Sequence, residues 1–441
     1  MTRLPLIALL AGTVALTGCG DRDEILPGER LDPRAVLSPD GPAVQGQPGA
    51  ATVALSLPAM RANAEWPQLG GGPTHNPGHA AIGQGLTPIW SASIGQPAGR
   101  RHRITADPIV GGGLIYTKDS RARVTATTPS GQTAWTSNLV PAGEVGESVS
   151  GGGIAYDGGR VYVTTGYGEL VALDARSGGV IWRQRVDAVI SGSPTVDRGM
   201  VYVMARNATG WAIRASDGRV QWQVGGTLAV AGVMGHSSPA VSGNTVIFPY
   251  ASGQLLAVDR DSGEQLWSGQ VGGSRTGRAI GLIRDIGGDP VIMGHRVIAG
   301  TTSGRTAAFD LQTGALAWNA RNGAANPVTP AGNSIFLVND QAQLVRLDAA
   351  TGAGIWGVDL PEYVETRRAR KQDRVHAHFG PVLAGGRLYL ASTDGRLRVF
   401  DPGSGALIGQ AEIPGGAATN PVVAGQTLYV VTRDAQLIAY R

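Results

Sequence analysis

The sequence predicts an all-β protein built as an eight-bladed β-propeller of four-stranded antiparallel blades. Three observations carry that expectation. The chain of 441 residues has 67 Gly, 26 Pro, only 5 Phe and 16% charged residues, a composition suited to short strands and tight turns. One frame recurs, most legibly at Leu170-Val-Ala-Leu-Asp174-Ala-Arg-Ser-Gly178-Gly-Val-Ile-Trp182. Its tryptophans, counted from Trp135, are spaced by 47, 40, 45, 51 and 38 residues, the length of a propeller blade.

Within the frame, Leu170 to Asp174 alternates with the period of a strand packed on both faces. Asp174 to Gly178 is turn chemistry: the carboxylate can accept backbone N–H bonds, and Gly can take the positive φ of the reversal. Copies stand at Asp259…Gly263…Trp267 and Asp310…Gly314…Trp318. Looser ones stand at Asp348…Gly352…Trp356, Gly218…Trp222 and Gly131…Trp135, and the Trp always follows the Gly by four residues. One Trp per repeat reads as packing: a large apolar contact plus one N–H bond at each blade interface.

In chain order, residues 1–18 read as a secretory signal: Arg3, then an apolar run from Leu4 to Leu16 that is too short to span a bilayer. It ends Leu16-Thr17-Gly18-Cys19, which resembles the bacterial lipobox, with Cys19 as the lipidated residue. Cys19 is the single cysteine, so after processing no thiol remains for a disulfide. Residues 19–64 carry six prolines among Gly, Asp, Ala and Gln without periodicity, the composition of a flexible tether. Residues 65–441, opening on Trp66-Pro-Gln-Leu-Gly-Gly, form the propeller. The net charge of +4 is too weak to imply nucleic acid.

A lone strand, Leu86 to Ile94, contains Trp90 and has no repeat before it. First strands then open on Pro108, Pro194, Pro239, Pro290, Pro327, Pro381 and Pro421, with Ile154 in blade 2; blade 7 has Gly409 where a Trp is expected. The chain stops at Leu437-Ile-Ala-Tyr-Arg441, three strands into its last repeat. The Trp90 strand supplies the missing fourth, closing the ring and covering its free edges.

The recurring Asp-Gly-Trp frame resembles the tryptophan-docking motif of pyrroloquinoline-quinone (PQQ) dehydrogenases. That resemblance implies a vicinal disulfide, a calcium site and a catalytic Asp. A single cysteine excludes the disulfide, so a PQQ-dependent enzyme and a periplasmic ligand-binding propeller stand as alternatives only. No nucleophile elbow, phosphate loop or paired-carboxylate spacing stands out. No catalytic residue, cofactor or metal is expected, and His376 and His378 lack any further ligand pattern.

From lipobox to Arg441 the chain resembles the BamB family of outer-membrane protein assembly factors, lipoprotein subunits of the β-barrel assembly machinery. The resemblance rests on Cys19, Trp66-Pro-Gln-Leu-Gly-Gly, the repeats, and two inter-blade segments, 228–239 and 277–290. It implies a non-catalytic scaffold, lipid-anchored on the periplasmic face of the outer membrane. Its partners would be a POTRA domain of the insertase BamA and other Bam-complex subunits, with unfolded outer-membrane proteins a further candidate. Gly20 after the Cys matches outer-membrane sorting in enterobacteria. The partner-binding residues expected are Val230, Val233 and Met234 in the first segment, and Arg278, Arg284 and Asp285 in the second. Their apolar residues are not demanded by the repeat, and their charges suit a docking rim. Residues 365–374, with five basic and two acidic side chains, read as a solvated loop or a contact for an acidic partner surface or anionic headgroups.

Overall fold

The computed structural model describes residues 53–83, 85–144, 149–186, 188–229, 238–273, 283–365 and 374–441. Among them, thirty-two strands form eight four-stranded antiparallel sheets. Blades 1 to 7 each use consecutive strands, over 109–138, 154–185, 195–225, 240–270, 288–320, 329–359 and 378–412. Blade 8 joins Val422–Ala424, Thr427–Val431 and Gln436–Tyr440 to the N-terminal strand Pro88–Ser93. There Trp90 stands opposite Ala439 and Ala92 opposite Leu437. The ring is closed by the strand expected from the sequence.

Each repeated Trp leaves its own blade and docks on the next. Its indole N–H donates to a backbone carbonyl there: Trp90 to Pro129, Trp135 to Ala175, Trp182 to Ala215 and Trp222 to Arg260. Trp267 donates to Leu311 at 2.8 Å, Trp318 to Ala349 and Trp356 to Pro402. The indole lies flat against the turn glycine of that blade. Gly178 sits at φ 72°, and a Cβ there would lie 2.4 Å from the Trp135 ring, so backbone conformation and packing both require glycine. The preceding carboxylate organises the turn: Asp174 Oδ1 accepts from the N–H groups of Arg176 and Ser177 and from the Ser177 hydroxyl. These bonds, the Ser177 hydroxyl's first, hold the Asp174 carboxyl below the usual carboxylate range.

The aim of the Trp comes from a bulge. In blade 2, Ala172 pairs with Trp182 and Leu173 with Val180, so Ile181 is an extra residue in the fourth strand. The same register shift recurs beside the equivalent tryptophans of blades 3, 4, 5 and 6. One inserted residue bends and twists the strand locally, and the residue opposite the Trp is usually Ala, which leaves room for the ring. Two prolines differ from the expectation that they open strands. Pro290 lies inside Gly288–Met293 and Pro381 inside His378–Ala384. Both fall at register shifts, where a missing ladder N–H is tolerated. At the seam between blades 7 and 8, Gly409 stands where the Trp is expected, and a Cβ built on it would meet Leu86 at ordinary van der Waals distance.

Among the described residues, contacts with the blades are already present at Ala54, ahead of the expected start at Glu65. Leu55 and Leu57 pack on the core between blades 6 and 7, and Asn333 of blade 6 binds the Ala54 carbonyl and the Ser56 N–H. The segment then crosses one face of the ring. Asn63 O accepts from Gly425 N of blade 8, and Trp66 and Val110 of blade 1 exchange both backbone bonds. Pro67 O accepts from Tyr156 N of blade 2. Gln68 exchanges two bonds with Val196 of blade 3. Pro73, Thr74 and Ala80 carbonyls reach Val241, Ile292 and Gly385 of blades 4, 5 and 7. Residues 54–82 thus bond to all eight blades and plug one end of the central channel.

His75 is buried in this plug, with Nδ1 2.8 Å from the Pro290 carbonyl and Nε2 3.3 Å from Thr195 Oγ1. Burial lowers its pKa to about 4, and does the same for His378. The neutral rings therefore favour the fold above pH 6.5, and that contribution drains away as pH falls toward 4. Asp107, pushed up to about 6 by burial, acts in the opposite sense, favouring the fold as it takes up a proton below pH 6. Two histidines outweigh one carboxyl, so a net loss on the order of 2–3 kcal/mol is expected between pH 6.5 and 4. Urea melts across that range should show it, and His75→Gln with His378→Gln should flatten the slope. An unchanged slope in the double variant would remove the histidines as its cause.

Candidate partner-binding face

The opposite end of the channel is open. The connections that enter the first strands gather there, together with the turns between second and third strands. They surround a funnel of about 1050 Å³ with Leu69 of the plug among its lining residues. Both segments singled out for docking enter blades on this face, into blades 4 and 5.

Four of the six expected partner-binding residues, Val230, Val233, Met234 and Arg278, lie outside the described residues. The flanks of both segments are described. Leu228 is 69% exposed at the start of the first, and Arg284 is exposed in the second. Asp285 is fully buried, and its carbonyl accepts from Thr302 N at 3.3 Å. It follows Arg284 into a stretch where Ile286 joins the core of blades 4 and 5. Asp285 therefore holds the loop to its blade and presents no charge to a partner. The sequence expectation grouped it with Arg284 because adjacent polar residues in a loop give no sign of which one faces inward. The two segments are joined at their ends by Ser238 N, which donates to Asp289 Oδ1 at 2.8 Å. Leu228 and Arg284 thus stand on neighbouring, mutually bonded loops.

That bond belongs to a pattern the sequence reading did not find. The residue before the Pro of a first strand often accepts, through its side chain, from the equivalent N–H of the preceding blade. Ser193 N donates to Ser238 Oγ, Ser238 N to Asp289, Gly380 N to Asn420 Oδ1, and Asn420 N to Asp107 Oδ1. These bonds form an inner set of fastenings around the funnel, as the tryptophans form an outer one. The signal was present as Asp107-Pro, Ser193-Pro, Ser238-Pro, Asp289-Pro, Asn326-Pro and Asn420-Pro.

Most of the basic loop, residues 366–373, lies outside the described residues. Its flanks meet in an isolated antiparallel bridge between Tyr363 and Val375, with Val364 N donating to Arg374 O and His376 N to Glu362 O. His376 and His378 do not combine. His378 is buried, with Nδ1 2.7 Å from Ser392 Oγ and Nε2 3.0 Å from Pro361 O, so both ring nitrogens are occupied. No cluster of three metal-ligating side chains occurs among the described residues.

A closed ring of eight blades, fastened by interlocking Trp and Gly and plugged at one end, defines the class: an eight-bladed propeller with tryptophan docking. The family model for outer membrane protein assembly factor BamB matches residues 120–358 and 345–441, and the chain belongs to that family. It is 24% identical over 361 residues to outer membrane protein assembly factor BamB of Yersinia pestis, covering 80% of this chain and 88% of the relative. The Escherichia coli protein of the same name is 24% identical over 354 residues, covering 79% and 87%. Among solved structures, BamB from Moraxella catarrhalis aligns with TM-score 0.67 at 22% identity, over 81% of this chain and 99% of that one. Quinohemoprotein alcohol dehydrogenase from Comamonas testosteroni aligns with TM-score 0.65 at 15% identity, over 86% and 80%. Both structural likenesses are of fold.

Proposed function

We propose that this protein is a non-catalytic, lipid-anchored scaffold in outer-membrane protein assembly. It binds a POTRA domain of the insertase BamA through the loops entering blades 4 and 5, alongside other Bam-complex subunits. The family match across residues 120–441 is the observation that carries this reading. The exposed Leu228 and Arg284 on bonded neighbouring loops support the choice of face. Anchorage rests on Cys19 at the end of the signal; no helix among the described residues is long and apolar enough to cross a membrane. A single cysteine cannot form the vicinal disulfide of the quinoprotein enzymes, which speaks against that chemistry.

Interfaces of this kind concentrate their energy in a few central side chains, each truncation costing about 1–4 kcal/mol. Val233→Asp with Arg284→Glu is therefore expected to abolish capture of purified POTRA domains in titration calorimetry, with the thermal melt unchanged. Wild-type affinity in that variant would place the partner elsewhere. In cell fractionation, Cys19→Ser should move the protein from the membrane pellet to the soluble periplasmic fraction; retention after a high-salt wash would exclude Cys19 as the anchor.

A further inference from the structure

We infer that the plugged end of the ring, at blade 7, rests on the membrane surface, with Leu407, Ile408 and Met60 entering the headgroup layer. The inference rests on the lipid anchor proposed at Cys19 and adds a second contact, one that orients the propeller. The strap fixes where the tether leaves the body. Arg346 of blade 6, fully buried, donates to the Ala54 carbonyl and to the Gly403 carbonyl of blade 7, both at 3.4 Å. A Cβ built on Gly403 would meet Leu55 at 3.9 Å. A little further on, His79 Nδ1 lies 2.8 Å from the Pro58 carbonyl, while Gly386 N of blade 7 donates to His79 Nε2 at 2.7 Å. Residues 54–58 are thus held beside both turns of blade 7 at the plugged end. Residues 19–52 precede them, 34 in all, and a flexible chain of that length averages about 30 Å end to end. Anchored at Cys19, it keeps this end of the ring near the bilayer, and the funnel opens on the opposite face.

The side chains facing outward at that point are apolar. Leu407 and Ile408 directly follow the Gly403 turn and are 52% and 51% exposed. On the strap, Pro58, Ala59, Met60, Ala62 and Ala64 are exposed, and Arg61 is the one charged residue between 54 and 64. Single exposed aliphatics are ordinary on any surface, and in blades 2 to 6 the bulge beside them aims a docking Trp. Blade 7 keeps that bulge without the Trp. Val399 pairs with Gly409 and Phe400 with Leu407, so Ile408 is the extra residue, and its outward position serves no docked ring. The carboxylate of the same turn, Asp401, is engaged by the N–H and hydroxyl of Ser404. Aliphatic side chains beside an arginine suit the boundary between headgroups and acyl chains, where the apolar groups bury and the cation meets phosphate. The anchor makes this contact an intramolecular event, so a small patch suffices to hold the orientation.

The test uses the full lipidated chain in vesicles of phosphatidylethanolamine and phosphatidylglycerol. With the Cys19 sulfur occupied by lipid, Ile408→Cys, Met60→Cys or, on the funnel face, Leu228→Cys each takes a single fluorophore. Lipids carrying a nitroxide just below the headgroup quench that label on contact. Quenching at positions 408 and 60 is expected to exceed that at 228 at least fivefold. Leu407→Asp with Ile408→Asp should bring the label at position 60 down to the level of 228, with the protein still vesicle-bound and its melt unchanged. Should that melt fall, Leu407→Ser with Ile408→Ser gives the same reading at smaller perturbation. Equal quenching at 408 and 228 in vesicle-bound protein overturns the inference and leaves the anchor standing. A chain whose mass shows no lipid on Cys19 refutes the anchor and the inference together. Shielding of the 408 label only after POTRA domains are added assigns the patch to a protein partner and also overturns it.

Discussion

Trp356→Ala is expected to lower the unfolding free energy by about 3–5 kcal/mol, the range for removing a buried Trp. Trp356 is 1% exposed, donates to Pro402 O and stacks obliquely on Phe336 with ring centroids 5.9 Å apart. Its removal leaves a cavity between blades 6 and 7 against Gly405, whose built Cβ would lie 2.9 Å from the indole, and strands the Pro402 carbonyl. Neighbouring glycine has no side chain with which to fill the gap, so little collapse is available. Trp182, only half-buried, should cost less. Urea unfolding at fixed pH gives both values. A loss below about 1 kcal/mol at Trp356 would mean that strand ladders and core aliphatics hold the interface without the docked indole.

A series of N-terminal truncations is expected to give still larger effects, in steps. A chain starting at Val53 should melt like the mature protein, since residues 19–52 have the composition of a tether. Starting at Glu65 removes the bonds to Asn333 and the packing of Leu55 and Leu57, and should lower stability modestly, at about 0.5–1.5 kcal/mol per hydrogen bond lost. Starting at Gly85 removes the plug, including buried Trp66 and His75 and its bonds to the inner strands. Starting at Ile94 also removes Pro88–Ser93, leaving Gln436–Tyr440 as an uncovered edge and blades 8 and 1 without the Trp90 dock; this chain should lose cooperative unfolding and aggregate. Calorimetric melts and light scattering on the four chains measure the steps. Equal melting of the last two would show that the terminal strand does not close the ring, and equal melting of the first and third would show the plug to be passive.

Blade number, turn chemistry, the docking Trp and the closing strand were legible in the sequence for one physical reason. Each is specified within about a dozen residues and then repeated, so local pattern and global packing agree. Asp174, Gly178 and Trp182 act within one turn and its neighbouring blade. Composition misread residues 54–64: a strap that bonds through its backbone to successive turns needs no periodicity of its own, so its prolines and glycines resemble those of a free linker.

What only the tertiary structure decided is set by contacts between distant residues. Ser56 meets Asn333 across 277 positions, and Asn420 meets Asp107 across 313; no local period encodes either. The same holds at the partner-binding face. Arg284 and Asp285 are adjacent in the chain, yet one is exposed and the other fully buried, because the loop turns into the core at Ile286. The sequence by itself determined the ring and its family. The fold alone determined which end is plugged, which end is open, and which charges remain free to bind.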